Sequence, residues 1–284
     1  MKKIAVIGDS ILDKYSFHTS NRISPEAPVP IAQKIDSNYS IGGAGLVAKK
    51  LIEKDNEVDL YSQVGMSSYG EKFKNLCMEI NIIDFAEINF VLTLKDRFII
   101  NDKYFLRIDE DHFESPNIKN VIEQFTKNIT KYSACMITDY NKGFVSEKMY
   151  QEIISICKSN NIPTFFDPNI NNKFDFSNID FIKLNLSEAY NISSTNTVDE
   201  SLNYFRTKKI IPIITKSSDG AISSIDNKNI TVDAPSIEAI DVSGCGDIFF
   251  AVFVSNYISD NNIENSMKLA VTEATEYIKY FGNI

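Results

Sequence analysis

The sequence predicts an α/β protein with three layers, α/β/α, and a small β-sheet lid. Six short runs of mainly β-branched and aromatic residues are typical of buried strands. They lie at residues 4–8, 59–65, 134–139, 164–168, 181–185 and 211–216. Helix-like stretches occur between them, at residues 45–54, 121–131 and 146–160. Strand–helix alternation of this kind predicts a parallel sheet covered by helices.

Two segments interrupt the alternation and predict the lid. Residues 29–35 are typical of an isolated strand, and residues 90–108 of a hairpin with Asn101 and Asp102 near its turn. Both segments are amphipathic, which suits a small sheet with one solvated face. We therefore expect one domain over residues 1–284, with a lid formed by residues 14–41 and 88–112. The amphipathic strands also predict that two lids pair in a homodimer.

The composition excludes several classes of protein. Hydrophobic residues make up 43% and charged residues 24%, which is enough for a large core, and the net charge of -9 argues against a nucleic-acid partner. No run is long enough to span a bilayer, and the N-terminus reaches Gly8 and Asp9 before a signal-peptide core could form. Four scattered cysteines without a CxxC pair argue against a zinc site or disulfide framework. We expect a soluble, cytoplasmic protein without a membrane partner.

The segment DVSGCGD, residues 241–247, precedes a strongly apolar helical stretch. A helix this apolar lies inside the protein, so its N-terminus offers free N–H groups and a positive dipole end to an anion. Gly244 and Gly246 allow close approach of the backbone to a phosphate. Asp247, in the first turn, is expected to be ionised and to accept a proton from a hydroxyl beside that phosphate. Simple capping of the helix is the alternative.

DVSGCGD resembles the D-[TV]-[TS]-G-[AC]-G-D signature of the ribokinase/PfkB carbohydrate kinases. In that family the last Asp is the catalytic base, and the turn before it is the anion hole for the transferring phosphoryl group. The resemblance implies these roles for Asp247 and for Gly244, Cys245 and Gly246, with ATP and Mg²⁺ as cosubstrate and cofactor. Because a helix N-terminus lowers thiol pKa values, we also expect Cys245 to be unusually reactive.

Two further motifs follow in the order of that family. Asn185 and Glu188 match N-x-x-E, which implies that they organise Mg²⁺ and phosphate through water; oxygen acceptors suit hydrated Mg²⁺. Residues 215–220 match T-[KR]-x-x-x-G, which implies contact with the nucleotide phosphates. The nucleotide residues implied by this second motif are Thr215, Lys216 and Gly220. A capped helix start and a polar turn are the respective alternatives.

The N-terminal third resembles one group within the family. The segments at residues 8–13, 22–30, 105–109 and 138–143 are similar to those of the D-glycero-β-D-manno-heptose 7-phosphate kinases, which make heptose 1,7-bisphosphate. The resemblance runs from about residue 4 to about residue 282. The substrate residues that it implies are Asp9, Asp13, Arg22, Gly42, Gly43, Arg107, Asp139 and Lys142.

These residues have different implied roles. Asp13 holds sugar hydroxyls with help from Asp9, and the glycine pair joins the lid to the body; a hinge without a ligand is the alternative for that pair. Arg22, Arg107 and Lys142 are candidates to bind the phosphate of the substrate, because that group needs cationic donors near the lid. Arg22 ranks first among them. A solvated surface charge is the alternative for each cation.

Four features depart from the family pattern. Leu46 stands where an Asn binds sugar hydroxyls, Asn169 where the heptose kinases carry Lys, and Val271 where an Asn lies beside the nucleotide. The fourth departure is that the sequence stops soon after residues 281–283, close to where the adenine pocket would finish. An apolar side chain cannot replace a hydrogen-bonding one. Three functions therefore stay open: a heptose 7-phosphate kinase, which is favoured, a related sugar or nucleoside kinase, and a non-catalytic sugar- or nucleotide-binding protein.

Overall fold

The computed structural model describes residues 1–172 and 174–281. The predicted end of the adenine pocket, residues 281–283, therefore lies largely outside the described residues. In chain order the strands and helices are β1 (Lys3–Gly8), β2 (Ser10–Thr19), β3 (Gln33–Gly43), α1 (Ala44–Glu53), β4 (Glu57–Ser62), α2 (Ser68–Leu76), β5 (Asn81–Asp84), β6 (Leu94–Ile100), β7 (Lys103–Glu110), α3 (Ile118–Asn128), β8 (Ala134–Thr138), α4 (Glu147–Ser159), β9 (Thr164–Asp167), β10 (Phe181–Asn185), α5 (Leu186–Ser193), α6 (Val198–Thr207), β11 (Ile211–Thr215), β12 (Ala221–Ile225), β13 (Lys228–Val232), α7 (Cys245–Asp260) and α8 (Ile263–Tyr277).

Nine strands form one sheet in the order β13-β12-β11-β10-β9-β8-β1-β4-β5. The seven strands from β11 to β5 in this order pair in parallel. Strand β12 pairs antiparallel with β11, and β13 pairs antiparallel with β12. All six strands predicted from apolar runs lie in the parallel part. The prediction of a parallel sheet is therefore confirmed.

Helices cover both faces of this sheet. On β1, Ile4 and Val6 face a core shared with α1, α7 and α8, whereas Ala5 and Ile7 face a core shared with α3, α4 and α6. Successive side chains of a strand point to opposite faces, so a strand between two helical layers must be apolar at every position. This arrangement is the predicted three-layer α/β/α body.

The remaining four strands form a second sheet in the order β3-β2-β6-β7, which we call the lid sheet. Its β6–β7 hairpin was predicted, and the turn residues Asn101 and Asp102 have φ values of 48° and 60°, as a two-residue hairpin turn requires. The strand predicted at residues 29–35 is wrong in position, because β3 begins at Gln33 and continues to Gly43. Pro30, which cannot donate a hydrogen bond to a ladder, takes part only in an isolated bridge to Ile23.

The lid sheet is also less buried than predicted. All eight residues of β7 are exposed, so this strand is solvated on both of its faces. The strands fall mainly within the expected lid segments, residues 14–41 and 88–112. That the whole chain is one domain stays a prediction.

The carboxyl ends of the parallel strands lie along one edge of the large sheet. The register pairs at this edge are Gly8 with Thr138, Thr138 with Asp167, and Asn185 with Thr215. Asp9 alone separates β1 from β2, so the lid sheet starts at the same edge. Ligands of open α/β sheets bind beyond the carboxyl ends of the strands. Within the described part of the chain, no helix has the length and apolarity needed to cross a membrane.

Candidate active site

The N-terminal turn of α7 contacts neighbouring elements closely. Gly244, the residue before the helix, has a φ of 80°, in the left-handed region that favours glycine. A Cβ atom at Gly244 would lie 2.5 Å from Cδ2 of Leu46, and one at Gly246 would lie 2.8 Å from Nζ of Lys183. Gly244 is therefore required by its backbone conformation, whereas the flexible Lys183 side chain could move to admit a Cβ at Gly246. This spacing leaves the backbone N–H groups of the turn uncovered by side chains of their own.

The body of α7 is interior, as predicted. Residues 248–255 are buried, whereas residues 243–247 are half-buried. The first turn therefore faces the open carboxyl edge of the sheet while the remainder packs in the core. A helix N-terminus in this position combines free N–H groups with the positive end of the dipole, which suits an anion.

The carboxyl group of Asp247 lies among polar side chains from three other elements. The hydroxyl of Tyr140 donates a short hydrogen bond to its Oδ1 atom. Burial and the negative charge of Asp167 raise the pKa of Asp247 to about 7, although Lys183 and the Tyr140 hydrogen bond oppose this shift. The carboxyl is therefore only partly ionised at neutral pH, and the expectation of a fully ionised group is wrong. A pKa near 7 suits a general base.

Lys183 is a site residue that sequence reasoning missed. Its Nζ lies 2.8 Å from Oδ2 of Asp167, and only 9% of the residue is exposed. Burial lowers the pKa of Lys183, but the carboxylates of Asp167 and Asp247 outweigh burial and raise it. A permanent cation therefore lies against Gly246 in the anion-binding turn. The available signal was a lysine within an otherwise apolar strand.

Asn185 and Glu188 form a capping box at the start of α5. Oδ1 of Asn185 accepts the N–H of Glu188 at 2.9 Å, and Oε2 of Glu188 accepts the N–H of Asn185 at 2.7 Å. The capped helix start is therefore real, and it is made by the two residues of the N-x-x-E motif. Capping leaves Oε1 of Glu188 without a hydrogen bond from the described residues.

The oxygen atoms near this box fit a hydrated Mg²⁺ ion. Glu188 lies within electrostatic range of Asp167 and Lys183. Among residues 1–172 and 174–281, no three His, Cys, Asp or Glu side chains form a direct metal cage. Mg²⁺ keeps several waters, so two carboxylates can hold it through them. Glu188 and Asp167 are the residues suited to this, with Asn185 as a further acceptor.

Thr215, Lys216 and Gly220 belong to a tight turn after β11. The N–H of Lys216 donates to the carbonyl of Gly220 at 2.7 Å, which closes the turn. Gly220 has a φ of 82°, and a Cβ there would lie 2.0 Å from the carbonyl oxygen of Val232. The turn is next to Asn185 through the β10–β11 register. The polar turn is therefore present, and it is made by the residues that the motif assigns to the nucleotide. Their contact with a nucleotide stays a prediction.

The glycine pair lies where the lid sheet meets α1. A Cβ at Gly42 would lie 2.3 Å from Oδ2 of Asp13, and one at Gly43 would lie 2.3 Å from the carbonyl oxygen of Asp9. Arg97, which sequence reasoning missed, donates to Oδ1 of Asp13 at 2.5 Å. Burial raises the pKa of Asp13 despite the charge of Arg97. Asp13 therefore faces the site in a fixed position.

Asp9 and Asp139 hold the loop that follows β8. The carboxylate of Asp9 accepts the backbone N–H groups of Tyr140, Lys142 and Phe144 at 2.9, 3.2 and 2.9 Å. Asp139 accepts the N–H of residue 141, and burial raises its pKa to about 6. Contact of either carboxylate with a sugar stays a prediction, since both have partners within the loop.

The three predicted phosphate ligands have different surroundings. Lys142 pairs with Asp111 at 2.7 Å, and Arg107 makes two hydrogen bonds to Asp109 at 2.6 and 2.8 Å. Arg22 is exposed in the loop between β2 and β3, and no carboxylate of the described residues lies within ion-pair distance of it. The structure thus brings Arg107 and Lys142 toward the cleft more clearly than Arg22, which ranked first.

The strand register places further cations with them. Asp13 and Tyr15 pair with Lys95 and Arg97, and Arg97 pairs with Arg107, so these side chains share one face of the lid sheet. Burial lowers the pKa of Lys95, as do the neighbouring cations, while Asp13 opposes them. We call this group the lid cation cluster. Its members are Lys95, Arg97, Arg107 and Lys142.

Cys245 is half-buried at the N-terminus of α7. Burial raises the pKa of Cys245, and its Sγ points to the carbonyl of Ala274 at 3.8 Å. Burial therefore opposes the lowering effect of Lys183 on this pKa, and the unusual reactivity of the thiol stays a prediction. The backbone N–H of Cys245 donates to the carbonyl of Val242 at 3.2 Å, so a place for Cys245 in the anion hole stays a prediction.

Each of the three residues that depart from the family pattern has contacts that the structure describes. Leu46 is 7% exposed and packs against Gly244, so it forms an apolar wall beside the anion-binding turn. Val271 is buried in the same core, on α8. Asn169 caps its own turn by accepting the N–H of Asn171.

A separate groove of about 800 Å³ lies at the opposite edge of the large sheet. It is lined by residues that precede β8 to β11 and by the end of α7, among them Lys158, Asp180 and Tyr257. None of the predicted site residues lines it. The candidate active site is instead the open cleft between the carboxyl edge and the lid sheet.

The fold and this cleft define a class of enzyme. An acid with a pKa near 7 lies at the N-terminus of an interior helix, beside a buried lysine and below a lid with several cations. A proton acceptor next to an anion site is the arrangement needed for phosphoryl transfer to a hydroxyl. The chain matches the model of the pfkB family carbohydrate kinases over residues 1–284 and belongs to that family.

Curated relatives cover more sequence than this chain. The bifunctional protein HldE of Campylobacter curvus is 28% identical over 292 residues, and that of Aliarcobacter butzleri 30% over 295 residues. Each alignment covers 99% of this chain but 62% and 61% of the relative. The chain thus spans about three fifths of the length of these relatives.

Solved structures share the fold at low identity. Phosphofructokinase-2 from Escherichia coli has a TM-score of 0.78 at 14% identity, covering 98% of this chain and 93% of that one. Ribokinase from Thermotoga maritima has a TM-score of 0.77 at 14% identity, covering 100% and 95%. The ribokinase-like fold is therefore confirmed, and the chain is a carbohydrate kinase by family.

Proposed function

We propose that this chain transfers the γ-phosphoryl group of ATP to a hydroxyl of a sugar phosphate. The favoured acceptor is D-glycero-β-D-manno-heptose 7-phosphate, with heptose 1,7-bisphosphate as product. The observation that carries the proposal is the position of Asp247, whose carboxyl lies in the first turn of an interior helix beside Lys183. The similarity of residues 8–13 and 22–30 to the heptose 7-phosphate kinases supports the choice of acceptor.

Asp247 accepts the proton of the acceptor hydroxyl while that oxygen attacks phosphorus. The N–H groups of Gly244 and Gly246 and the ammonium of Lys183 stabilise the negative charge on the transferred group. Glu188 and Asp167 would hold Mg²⁺ through water, with Asn185 as a further acceptor, and the bound ion would neutralise phosphate charge. Catalysis of this kind depends mainly on position and electrostatics, which agrees with the close contacts at both glycines.

The two sides of the cleft bind different groups. The turn of Thr215, Lys216 and Gly220 binds the nucleotide phosphates through its backbone and the Lys216 ammonium. Asp13 accepts hydrogen bonds from sugar hydroxyls on the opposite side. The lid cation cluster binds the phosphate that the sugar already carries, because four cations share this region and one of them, Lys95, has no ion pair with a carboxylate of the described residues.

A related sugar or nucleoside kinase is a second candidate, and Leu46 is the observation that favours it. Its buried side chain packs against Gly244 and offers no hydrogen bond where the family carries an Asn. A sugar hydroxyl facing this wall would lose a partner, so an acceptor without a hydroxyl there would bind better. A non-catalytic binding protein is the third candidate.

Assays of ADP release distinguish these candidates. ATP and Mg²⁺ are supplied with heptose 7-phosphate, other sugar phosphates, free sugars or nucleosides in turn. Release with heptose 7-phosphate alone supports the favoured function, and release with another acceptor supports the second. Binding of sugar or ATP by calorimetry, without ADP release for any acceptor, would show the third and overturn the kinase proposal.

We also propose that the chain is one domain, acts in the cytoplasm and forms a homodimer through the lid sheet. Leu106 and Ile108 lie on the outer face of the lid sheet, and each is 46% exposed. A second copy would cover them together with Phe105, which is 59% exposed. Sedimentation equilibrium tests this assembly, and a monomer mass at micromolar concentration contradicts it.

A further inference from the structure

We propose that Tyr140 is a positioning residue for the catalytic base. Its hydroxyl holds Oδ1 of Asp247, reserves Oδ2 for the acceptor hydroxyl, and favours the charged form of the carboxyl group. The inference rests on the proposed role of Asp247 as base. It goes further because it assigns the two carboxylate oxygens to different partners and gives a separate residue control of the base.

The position of the Tyr140 ring is determined by the end of the central strand. Its backbone N–H donates to Oδ2 of Asp9 at 2.9 Å, and the rest of the loop is held by the same carboxylate. Asn141 and Gly143 have φ values of 56° and 101°, which turn the chain back toward α4. Tyr140 is therefore fixed from two directions, by Asp9 at its backbone and by Asp247 at its hydroxyl.

The groups facing Asp247 come from every element around it. They are Asp167 at the end of β9, Lys183 on β10, Lys95 on β6, Tyr140 after β8, Tyr277 on α8 and Cys245 on α7 itself. Lys183 is already bonded to Asp167, so it acts on Asp247 only through its charge. Within residues 1–172 and 174–281, Tyr140 is the one side chain that donates a hydrogen bond to Asp247.

The direction of the effect follows from this environment. Burial and Asp167 raise the pKa of Asp247 to about 7, and the Tyr140 hydrogen bond lowers it. Burial and Asp247 raise the pKa of Tyr140 well above its usual value, so the phenol remains a donor over the working range of pH. Loss of the hydroxyl should therefore raise the pKa of Asp247 further. A smaller fraction of Asp247 would then be in the ionised form that acts as the base at neutral pH.

Tyr140→Phe tests the proposal, with Tyr132→Phe as a matched control. Tyr132 is also a buried tyrosine that donates to a carboxylate, Asp59 at 2.7 Å, but it lies in the other core. The dependence of kcat/KM on pH is measured from pH 5 to 9 with ATP and the acceptor found above. We expect the acid limb of Tyr140→Phe to move up by about one pH unit or more, while Tyr132→Phe keeps the wild-type limb.

Near pH 6 this shift corresponds to a loss of about tenfold or more in kcat/KM, which shrinks toward pH 9. A uniform loss at every pH, with an unchanged acid limb, would mean that Tyr140 only supports the structure and overturns the proposal. If the Phe variant does not fold, 3-fluorotyrosine at position 140 keeps the ring shape and strengthens the donor. The acid limb should then move to lower pH, and an unmoved limb contradicts the proposal.

A second measurement does not depend on turnover. The carboxyl carbon of Asp247 is titrated by NMR in the wild type and in Tyr140→Phe, with the signal assigned through Asp247→Asn. A higher apparent pKa in the Phe variant supports control of Asp247 by Tyr140 even if no acceptor is phosphorylated. Equal pKa values in both proteins refute that control, whereas an inactive wild type alone refutes the proposed function.

Discussion

The N-terminal turn of α7 and the lid sheet are built in opposite ways. At the turn, Gly244 has a positive φ and packs against Leu46, and Lys183 beside Gly246 is almost fully buried. In the lid sheet, all eight residues of β7 are exposed, and Arg107 pairs with Asp109 on the same strand. Close packing fixes the groups that would do chemistry, while the outermost strand of the lid sheet, with Arg107, lies in solvent. Changes at the turn should therefore affect kcat, and changes in the lid should affect KM or assembly.

The largest effect is expected for Asp247→Asn. Loss of a general base should reduce kcat by about 10²–10⁴-fold with little change in KM for ATP. Steady-state ADP release measures both constants. Turnover close to that of the wild type would place the base elsewhere.

The stability of this variant separates chemistry from misfolding. Because burial raises the pKa of Asp247 in the folded state, its contribution to stability is present at low pH and is lost as pH rises toward about 7. Asp247→Asn has no such charge to bury. It should therefore unfold at an equal or higher temperature than the wild type at pH 8, as measured by circular dichroism.

Lys183→Met should cause the next largest loss. It removes the cation beside Gly246 and leaves the Asp167 carboxylate buried without its partner. We expect kcat to fall on the order of 10²-fold and the free energy of unfolding to fall by about 3 kcal/mol. Turnover assays and urea unfolding measure the two effects. The double variant with Asp167→Asn should regain most of the stability but not kcat; recovery of both would remove Lys183 from the catalytic group.

Lys95→Met tests the lid side of the comparison. Loss of one charge-assisted contact should raise KM for a phosphorylated acceptor by about tenfold, with kcat nearly unchanged. The variant should keep its fold, because burial and the neighbouring cations disfavour the charged form of Lys95. Removal of that charge should therefore cost little stability. Lys103→Met, in the exposed hairpin, is the matched control and should leave KM unaltered. An equal effect on an acceptor without a phosphate would contradict a phosphate-binding role.

The smallest effect on chemistry is expected for Leu106→Asp. The side chain is on the outer face of the lid sheet, so a charge there should dissociate the proposed dimer while kcat per chain changes by less than about threefold. Sedimentation velocity at several concentrations measures the dimer. A dimer that persists in this variant would locate the interface away from the lid sheet.

The sequence was sufficient for the parts that depend on local pattern. Apolar runs predict six of the seven strands in the parallel part of the large sheet, and the glycine-flanked start of an apolar helix predicts an interior α7. The hairpin was predicted because Asn101 and Asp102 tolerate positive φ values. Each of these signals involves residues that lie close together in the sequence, so a single sequence is enough to recognise it.

Long-range contacts could not be predicted in this way. The pairs Asp13–Arg97 and Tyr140–Asp247 join residues that lie 84 and 107 positions apart. The strand β2 was missed because its residues alternate irregularly: Ser10 and Ser16 are both buried, the first bonded to Ser62 of β4 and the second to Asp96 of β6. The raised pKa of Cys245 could not be predicted for a similar reason, because the contact of its thiol with α8 is invisible in the motif itself.

The single residue between β1 and β2 has a mechanical consequence. Asp9 connects the two sheets in sequence. Its carbonyl accepts the N–H of Ala44, where the lid sheet leads into α1, and its carboxylate accepts the N–H of Tyr140. If the lid sheet rotates over a bound acceptor, we expect the chain to bend at residues 9 and 43, where this sheet joins β1 and α1. Such a bend displaces the anchor of the phenol, so opening and closing would be transmitted directly to the orientation of the Asp247 carboxyl group.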